Sequence, residues 1–444
     1  MNQTPAFTSR RRFIQRSSAA LIGAPFVSSG MRAASPNGKL RHAAFGANGQ
    51  SWSDIESFSN HPMWELVAVC DVDTRNFAQV KQKFPQVKCY QDWRELLEKE
   101  AGNLDSVNVS TPDHMHASIG LAAIEKGLNV YGQKPLAQNL AECRAMTLRA
   151  REKGATTQMG IQVSSDFSER FAVELIHQGV IGKVKEVHSF SNKKWGDPEP
   201  VPPQSNPVPG ELDWDKWIGV SAERPFINGY YHPGNWRKRR DFGTGTLGDM
   251  GCHMFSGWYR ALALTSPTTV TSRGPAPGKD NWAINGKVEY IFPGTQYTEG
   301  KEVKVTWYDG DQRPPKEVQD AIEGAWPGQG SIYIGTEGVL LHQHGTTPML
   351  HPKEKFAGRA YPKLKKRDHW LEYIDCCLKK DAKPSANWDY SGPLTECVLL
   401  GCLTSVFPNQ TLKWNVDKLS FNNSAEATAL VHRSYRNGWE IAGL

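Results

Sequence analysis

Lys39-Leu40-Arg41-His42-Ala43-Ala44-Phe45-Gly46-Ala47-Asn48-Gly49-Gln50-Ser51 is the stretch that decides the fold. Lys39 to Phe45 reads as a strand, and the glycine-bearing turn Gly46 to Ser51 ends it. Trp52 to Asn60 has helical character, and Leu66 to Cys70 is a continuous apolar strand ending at Asp71. Strand, glycine turn, helix and strand make the βαβ unit of a dinucleotide site. Gly46 and Gly49 let the backbone approach a pyrophosphate at a helix N-terminus, with Asn48 and Gln50 beside it. Asp71 lies 22 positions after Gly49, where an acid bonds the ribose hydroxyls and repels a 2′-phosphate. That position favours NAD over NADP. Ser51 stands near the place of the usual third glycine, so the flanking strands and Asp71 carry the reading rather than the glycines alone.

The alternation continues. Trp93 to Lys99 reads as a helix, Ser106 to Val109 as a strand, and Ser110 to His116 as a loop at its carboxyl end. His116 to Lys126 is a helix, Asn129 to Tyr131 a strand, Leu140 to Arg151 a helix and Thr156 to Gly160 a short strand. Repeated strand–helix units imply a parallel, doubly wound sheet, whose ligands bind beyond the carboxyl ends of the strands. Ser110 and Thr111 are therefore candidates for the nicotinamide pocket, and His116 is either a cofactor contact or a helix-cap residue. Gln133 and Lys134 follow the strand ending at Tyr131, and Pro135 pushes Lys134 toward an extended conformation. Lys134 should sit at the mouth of the crevice.

After Gly160 the pattern changes. A helix (Phe167 to His177) and a strand (Val184 to Asn192) lead to a loop, Asp197 to Gly210, with six prolines. Trp195, Trp214, Trp217, Tyr230, Tyr231 and Trp236 cluster around it, suited to stacking on sugar rings or to an interface. Strand-like runs follow at Thr268 to Arg273, Lys287 to Phe292, Val303 to Trp307, Ser331 to Gly335 and Val339 to His342, with helices at Trp370 to Lys379 and Pro393 to Phe407. The expected class is α/β: an N-terminal Rossmann doubly wound parallel sheet over residues 38–160, plus a C-terminal α+β domain with an open, largely antiparallel sheet over residues 161–444.

Gly243 to His253 opens a helix running to about Leu262. Asp249 and His253 are four apart and share one helix face, where a carboxylate can orient an imidazole and support it as a general base. With Gln133-Lys134-Pro135 and the nucleotide start, the chain resembles the glucose-fructose oxidoreductase, inositol dehydrogenase and rhizopine-catabolism (Gfo/Idh/MocA) family over nearly all of residues 35–444. The resemblance implies that Lys134 is the substrate lysine and that Asp249 and His253 form an acid–base pair. It implies that His253 takes a proton from a substrate hydroxyl while hydride leaves for nicotinamide C4. Gln133 departs from the family's Glu-Lys-Pro pattern and removes a charge near the nicotinamide. Trp195, Tyr231, His232 and Arg237 are the candidates for the substrate side of the crevice. His342 and His344 alternate without a nearby carboxylate, so no metal site is assigned.

The formal charge of +6 includes five arginines within the first 34 residues, which hold no acid, so the remainder is near neutrality at +1. That argues against a nucleic-acid partner held through phosphates. Ser9-Arg10-Arg11-Arg12-Phe13-Ile14, followed by the apolar Ser17 to Ser29, reads as a twin-arginine signal peptide over residues 1–34, hence periplasmic or otherwise exported. Its apolar part is too short to span a bilayer, for which about 20 residues are needed, and no other run is longer. None of the eight cysteines forms a Cys-x-x-Cys pair, and few or no disulfides are expected. The leading functional reading is an exported NAD-dependent oxidoreductase acting on a hydroxyl of a sugar, glycoside or polyol by hydride transfer, with tightly held cofactor. Glycoside cleavage by transient oxidation and elimination is one alternative, and a non-catalytic sugar- or nucleotide-sensing protein is another. A homo-oligomer joined through the C-terminal sheet is expected.

Overall fold

A computed structural model describes residues 38–444. The expected signal peptide lies outside the described residues. In the first half, β1 (Leu40–Phe45), α1 (Gln50–Phe58), β2 (Trp64–Cys70), α2 (Phe77–Lys83), β3 (Lys88–Tyr90), α3 (Trp93–Glu100), β4 (Ser106–Val109), α4 (His116–Glu125), β5 (Asn129–Gly132), α5 (Leu140–Lys153) and β6 (Thr157–Met159) alternate. The six strands form one sheet in the order β3-β2-β1-β4-β5-β6, and every pair is parallel. This is the doubly wound order, which reverses between β1 and β4 and opens a crevice there. Local chemistry fixes the element ends. Asn139 caps α5 by accepting from Glu142 N at 3.0 Å, and Gly154 closes it in the left-handed region at φ 64°. β1 and β4 are buried on both faces, as a parallel sheet covered by helices requires.

The second half contributes α6 (Phe167–His177), β7 (Val184–Ser191), α7 (Trp214–Ile218), α8 (Gly245–Ala261), β8 (Thr269–Ser272), β9 (Lys287–Pro293), β10 (Glu302–Asp309), β11 (Gln329–Gly335), β12 (Val339–Gln343), β13 (Met349–His351), α9 (His369–Lys379), α10 (Trp388–Thr404), β14 (Thr411–Asn415) and β15 (Ser420–Phe421). Its nine strands run β13-β12-β11-β7-β10-β9-β8-β14-β15, antiparallel except where β10 meets β7. Alternation sorts the side chains. Val187, Val305, Trp307 and Tyr333 face the core under α6, α8 and α10. Phe190, Tyr308, Ile332 and Leu341 face the other way and pack against Val318, Ile322 and Trp326 of the same chain.

Two departures from the sequence reading have plain causes. α10 begins at Trp388, five residues before Pro393, because Asn387 caps Asp389 N at 3.1 Å. Pro393 then sits in the second turn and forgoes one backbone hydrogen bond. β3, β13, β14 and β15 are two to five residues long, too short to show a period. α9 also returns to the first sheet, placing Tyr373, Ile374 and Cys377 against Phe58, Trp64 and Tyr131.

Candidate functional site

A cavity of about 630 Å³ opens at the carboxyl ends of β1, β2, β4 and β5, lined there by Gly46, Asp71, Thr111 and Lys134. The opposite wall comes from the second half, including Leu212, Trp217, His232 and Trp236. That wall is stitched to the strand ends: Asp213 N donates to Val72 O at 2.9 Å, and Thr74 N to Glu211 O at 3.0 Å. An aromatic mini-core stiffens it, with Trp214 stacked on Trp217 at 4.8 Å and Phe242 beneath. The dense aromatics thus serve mainly to build a cover.

The turn after β1 fits a dinucleotide. Gly46 holds φ +100°, and a Cβ there would lie 2.9 Å from Ser110 O. Gly49 precedes α1 at φ 56° with no side-chain cap, so the first N–H groups of α1 are free for a phosphate. Ser51 occupies its buried place by donating its hydroxyl to Gly46 O at 2.6 Å, so a third glycine is not needed. Asn48 and Gln50 line the cavity beside the turn. Thr111 Oγ1 is buried without a partner in the same cavity, a group that a ligand would satisfy.

Asp71 accepts from Ala47 N at 2.8 Å and from Asp73 N at 2.9 Å, which anchors it at the end of β2. Burial pushes its carboxyl up, against these hydrogen bonds. Asp73, which the sequence reading did not single out, binds Arg75 through a 2.6 Å pair and draws His232 Nε2 to 3.2 Å. His232 therefore stands at the β2 end of the cavity, a correction to its placement with the substrate. Tyr231 is likewise corrected: it is 3% exposed and packs among Trp214, Trp217 and Phe242. His116 is buried and bonded through one ring nitrogen to Thr111 O and through the other to Pro135 O, both at 2.8 Å. It braces the two loops from behind instead of lining the cavity.

Gln133 donates to Asp54 Oδ2 at 2.9 Å. Asp54 also accepts from Ser110, Gln50 and Trp370. Four donors suit an ionised carboxylate, while full burial pushes the group up toward neutrality. The acid missing at position 133 is thus present one residue deeper, from α1. It could not be found in the sequence, because 79 positions separate the partners.

Lys134, Asp249, Trp195 and Arg237 come together as one cluster. Lys134 Nζ donates to Asp249 Oδ1 at 2.5 Å, Trp195 Nε1 to Oδ2 at 2.9 Å, and Arg237 Nε to Oδ1 at 3.3 Å. Lys193, also not singled out in the sequence, places Nζ 3.5 Å from Oδ2. Burial opposes ionisation of Asp249, but the cations, Lys134 first, hold its carboxyl well below the usual range. The expected Asp249–His253 contact is a correction. The carboxylate's hydrogen bonds go to Lys134, Trp195 and Arg237, and His253 Nδ1 is buried without a partner. Burial, then Lys134 and His344, hold the His253 imidazole well below its ordinary value, so it is neutral. A neutral imidazole accepts a proton, which is what a general base requires. His344 lies 5.4 Å away, ring to ring. Among the described residues no group of three or more His, Cys, Asp or Glu side chains is arranged to hold a metal.

The fold and the glycine turn define a dinucleotide-binding domain of the Rossmann class joined to an α+β domain. Residues 40–161 match the oxidoreductase family's NAD-binding Rossmann fold, and residues 175–441 match that family's C-terminal alpha/beta domain. The chain belongs to the Gfo/Idh/MocA oxidoreductase family, and its first half is an NAD-binding Rossmann domain. It is 34% identical over 99 residues to 2,7-anhydro-N-acetylneuraminate hydratase of Mediterraneibacter gnavus, covering 22% of this chain and 26% of that protein. It is 25% identical over 118 residues to levoglucosan dehydrogenase of Pseudarthrobacter phenanthrenivorans, covering 27% and 30%. The matched stretch thus spans less than a third of each relative's length. The WlbA dehydrogenase from Bordetella pertussis, solved with NADH and UDP-GlcNAcA, has the same fold: TM-score 0.59, 16% identity, 85% of this chain and 100% of that one.

Proposed function

We propose that this protein is an NAD-dependent oxidoreductase acting on a CH–OH group of a sugar, glycoside or polyol. One observation carries the reading: Lys134, at the strand-end mouth of the NAD cavity, meets the helix that bears Asp249 and a neutral His253. When bound, the nicotinamide supplies a hydride acceptor for the carbinol carbon. Lys134 is the donor that holds the substrate oxygen, and Asp249 keeps its ammonium in place. His253 takes the hydroxyl proton. Trp195 and Arg237 flank the same spot. The dehydrogenase name of the Pseudarthrobacter relative supports the redox reading. The hydratase name of the Mediterraneibacter relative favours a second reading, in which oxidation is transient and a glycosidic or anhydro bond is opened without net NADH.

Export through residues 9–29 and a tightly held cofactor belong to the same proposal. An exported enzyme meets no evident pool of free NAD, so the cofactor would have to be loaded before export and kept. The wall from Leu212 to Trp236, hydrogen-bonded to the end of β2, supports this by covering one side of the cavity. A retained cofactor must be reset by its own substrates. The test is to purify the mature chain without added nucleotide, dialyse it at length, and assay NAD(H) together with the products formed from a glycoside panel. Retained nucleotide and oxidised, cleaved or exchanged sugar are expected. An empty protein that consumes free NAD at each turnover would sink the retained-cofactor reading, and one inert toward every glycoside would sink the oxidoreductase reading.

A further inference from the structure

The charge around Asp249 does not balance. Lys134, Arg237 and Lys193 all point at this one carboxylate, at 2.5, 3.3 and 3.5 Å. Among the described residues none of the three has another ion-pair partner. Two neighbouring cations are paired elsewhere: Lys194 with Asp311 and Arg239 with Asp197, both at 2.8 Å or less. Asp113, the next acid in the cavity wall, accepts from the Thr244 hydroxyl at 2.7 Å; burial pushes its carboxyl up, while His116, Thr244, Arg237 and Lys134 pull it the other way. His253 and His344 are both held below the ordinary histidine value by burial, so neither adds charge at neutral pH. Lys134, Arg237 and Lys193 thus outnumber the two buried carboxylates near them, Asp249 and Asp113, and leave this end of the site with a positive surplus. Partly buried cations that must share one carboxylate are costly to hold, and clusters of them are favourable anion sites.

The surplus is not accounted for by the cofactor's pyrophosphate. That group belongs at Gly46 to Gln50, where α1 offers free N–H groups, and Lys193 does not line that cavity. Lys193 has 40% of its side chain exposed, and Arg237, 28% exposed, lies over the Trp236 ring at 4.2 Å. All three cations reach the same Asp249 carboxylate, so one small ligand could span them.

Resting on the reading that the substrate is a sugar-class alcohol, we propose that it is an acidic sugar, whose carboxylate binds between Lys193 and Arg237 while the hydroxyl on the same ring lies at Lys134 and His253. The ligand carboxylate takes the two outer cations from Asp249 and leaves Lys134 to it. Arginine and lysine together give a fork and a point charge, a pairing suited to a carboxylate.

The test is calorimetric binding to the NAD-loaded mature chain with two matched pairs: methyl β-D-glucuronoside against methyl β-D-glucoside, and methyl β-D-galacturonoside against methyl β-D-galactoside. In at least one pair the acid should bind ten-fold or more tightly than its neutral partner. The ratio should fall as salt is added, narrow in Lys193→Gln and invert in Lys193→Glu; both changes are at a half-exposed side chain and should leave the fold intact. Equal or tighter binding of the neutral partner in both pairs overturns the proposal, as does a ratio that ignores Lys193. NADH formation in the same samples judges the oxidoreductase reading separately. Selective acid binding without NAD reduction would sink that reading alone, and oxidation of the neutral glycoside with exclusion of the acid would sink this one alone.

Discussion

Replacing Asp249 by Asn keeps the side chain's shape and removes its charge. In the native protein the carboxylate is 7% exposed and meets Lys134 at 2.5 Å and Arg237 at 3.3 Å, with those side chains 14% and 28% exposed. At an effective dielectric of about 20 these attractions are about 7 and 5 kcal/mol before opposing terms. Desolvation and cation–cation repulsion offset most of that, and the net cost of removing one partner of a buried pair is about 3–5 kcal/mol. The assay is urea unfolding followed by tryptophan fluorescence, with circular dichroism as a second probe. Asp249→Asn should unfold at clearly lower urea, and adding Lys134→Met should restore part of the loss, because it removes a stranded cation. The pH dependence has a definite sign. The folded carboxyl lies far below the unfolded value of about 3.9, so its contribution is present above that pH and is lost as pH falls toward the folded value. The difference between wild type and Asp249→Asn should shrink in the same acidic window. A variant within about 1 kcal/mol of wild type at neutral pH would refute the claim that this carboxylate organises the cluster.

His253→Ala should lower kcat by about 100- to 10,000-fold while NAD binding persists, measured by steady-state kinetics and calorimetry. Because burial holds the His253 imidazole well below its ordinary 6.5, wild-type kcat/KM should stay level as pH drops through 6.5 and fall only at lower pH; an inflection above 6.5 would count against this base. Asp71→Ala should narrow the preference for NAD over NADP in titrations of nucleotide-free protein, and a wild type that binds NADP more tightly would overturn the reading of that acid. Gly46→Ala should abolish NAD binding, since its Cβ would lie 2.9 Å from Ser110 O at a φ of +100°.

The parallel sheet was legible because buried βαβ strands read as apolar runs with turns between them. Lys134 was legible because a proline locks it to a strand end, and it lies at the cavity mouth. Asp249 and His253 were legible as neighbours on a helix face, yet spacing alone could not tell which partner the carboxylate would choose. Three donors from distant segments, Lys134, Trp195 and Arg237, outcompete the imidazole for it. Tyr231 and His232 were misplaced for a related reason: an aromatic-rich loop gives no sign of which rings turn inward. Asp54, Asp73 and Lys193 were silent because an isolated charge acquires meaning only from tertiary partners.

The return of α9 to the first sheet bears on how this chain matures. Phe58 and Tyr131 are fully buried, and part of their cover is Tyr373 and Ile374, at 6.0 Å ring to ring in the case of Phe58 and Tyr373. Trp388 closes over β5 in the same way, with its ring 3.3 Å from where a Cβ on Gly132 would be. These covering residues leave the ribosome only after nearly the whole chain has been made. Until then the nucleotide-binding half presents an apolar aromatic face to solvent, so its folding waits on contacts of very long sequence separation. A fragment ending near residue 160 should be sticky and chaperone-dependent, even though residues 40–161 are a recognisable family unit by themselves.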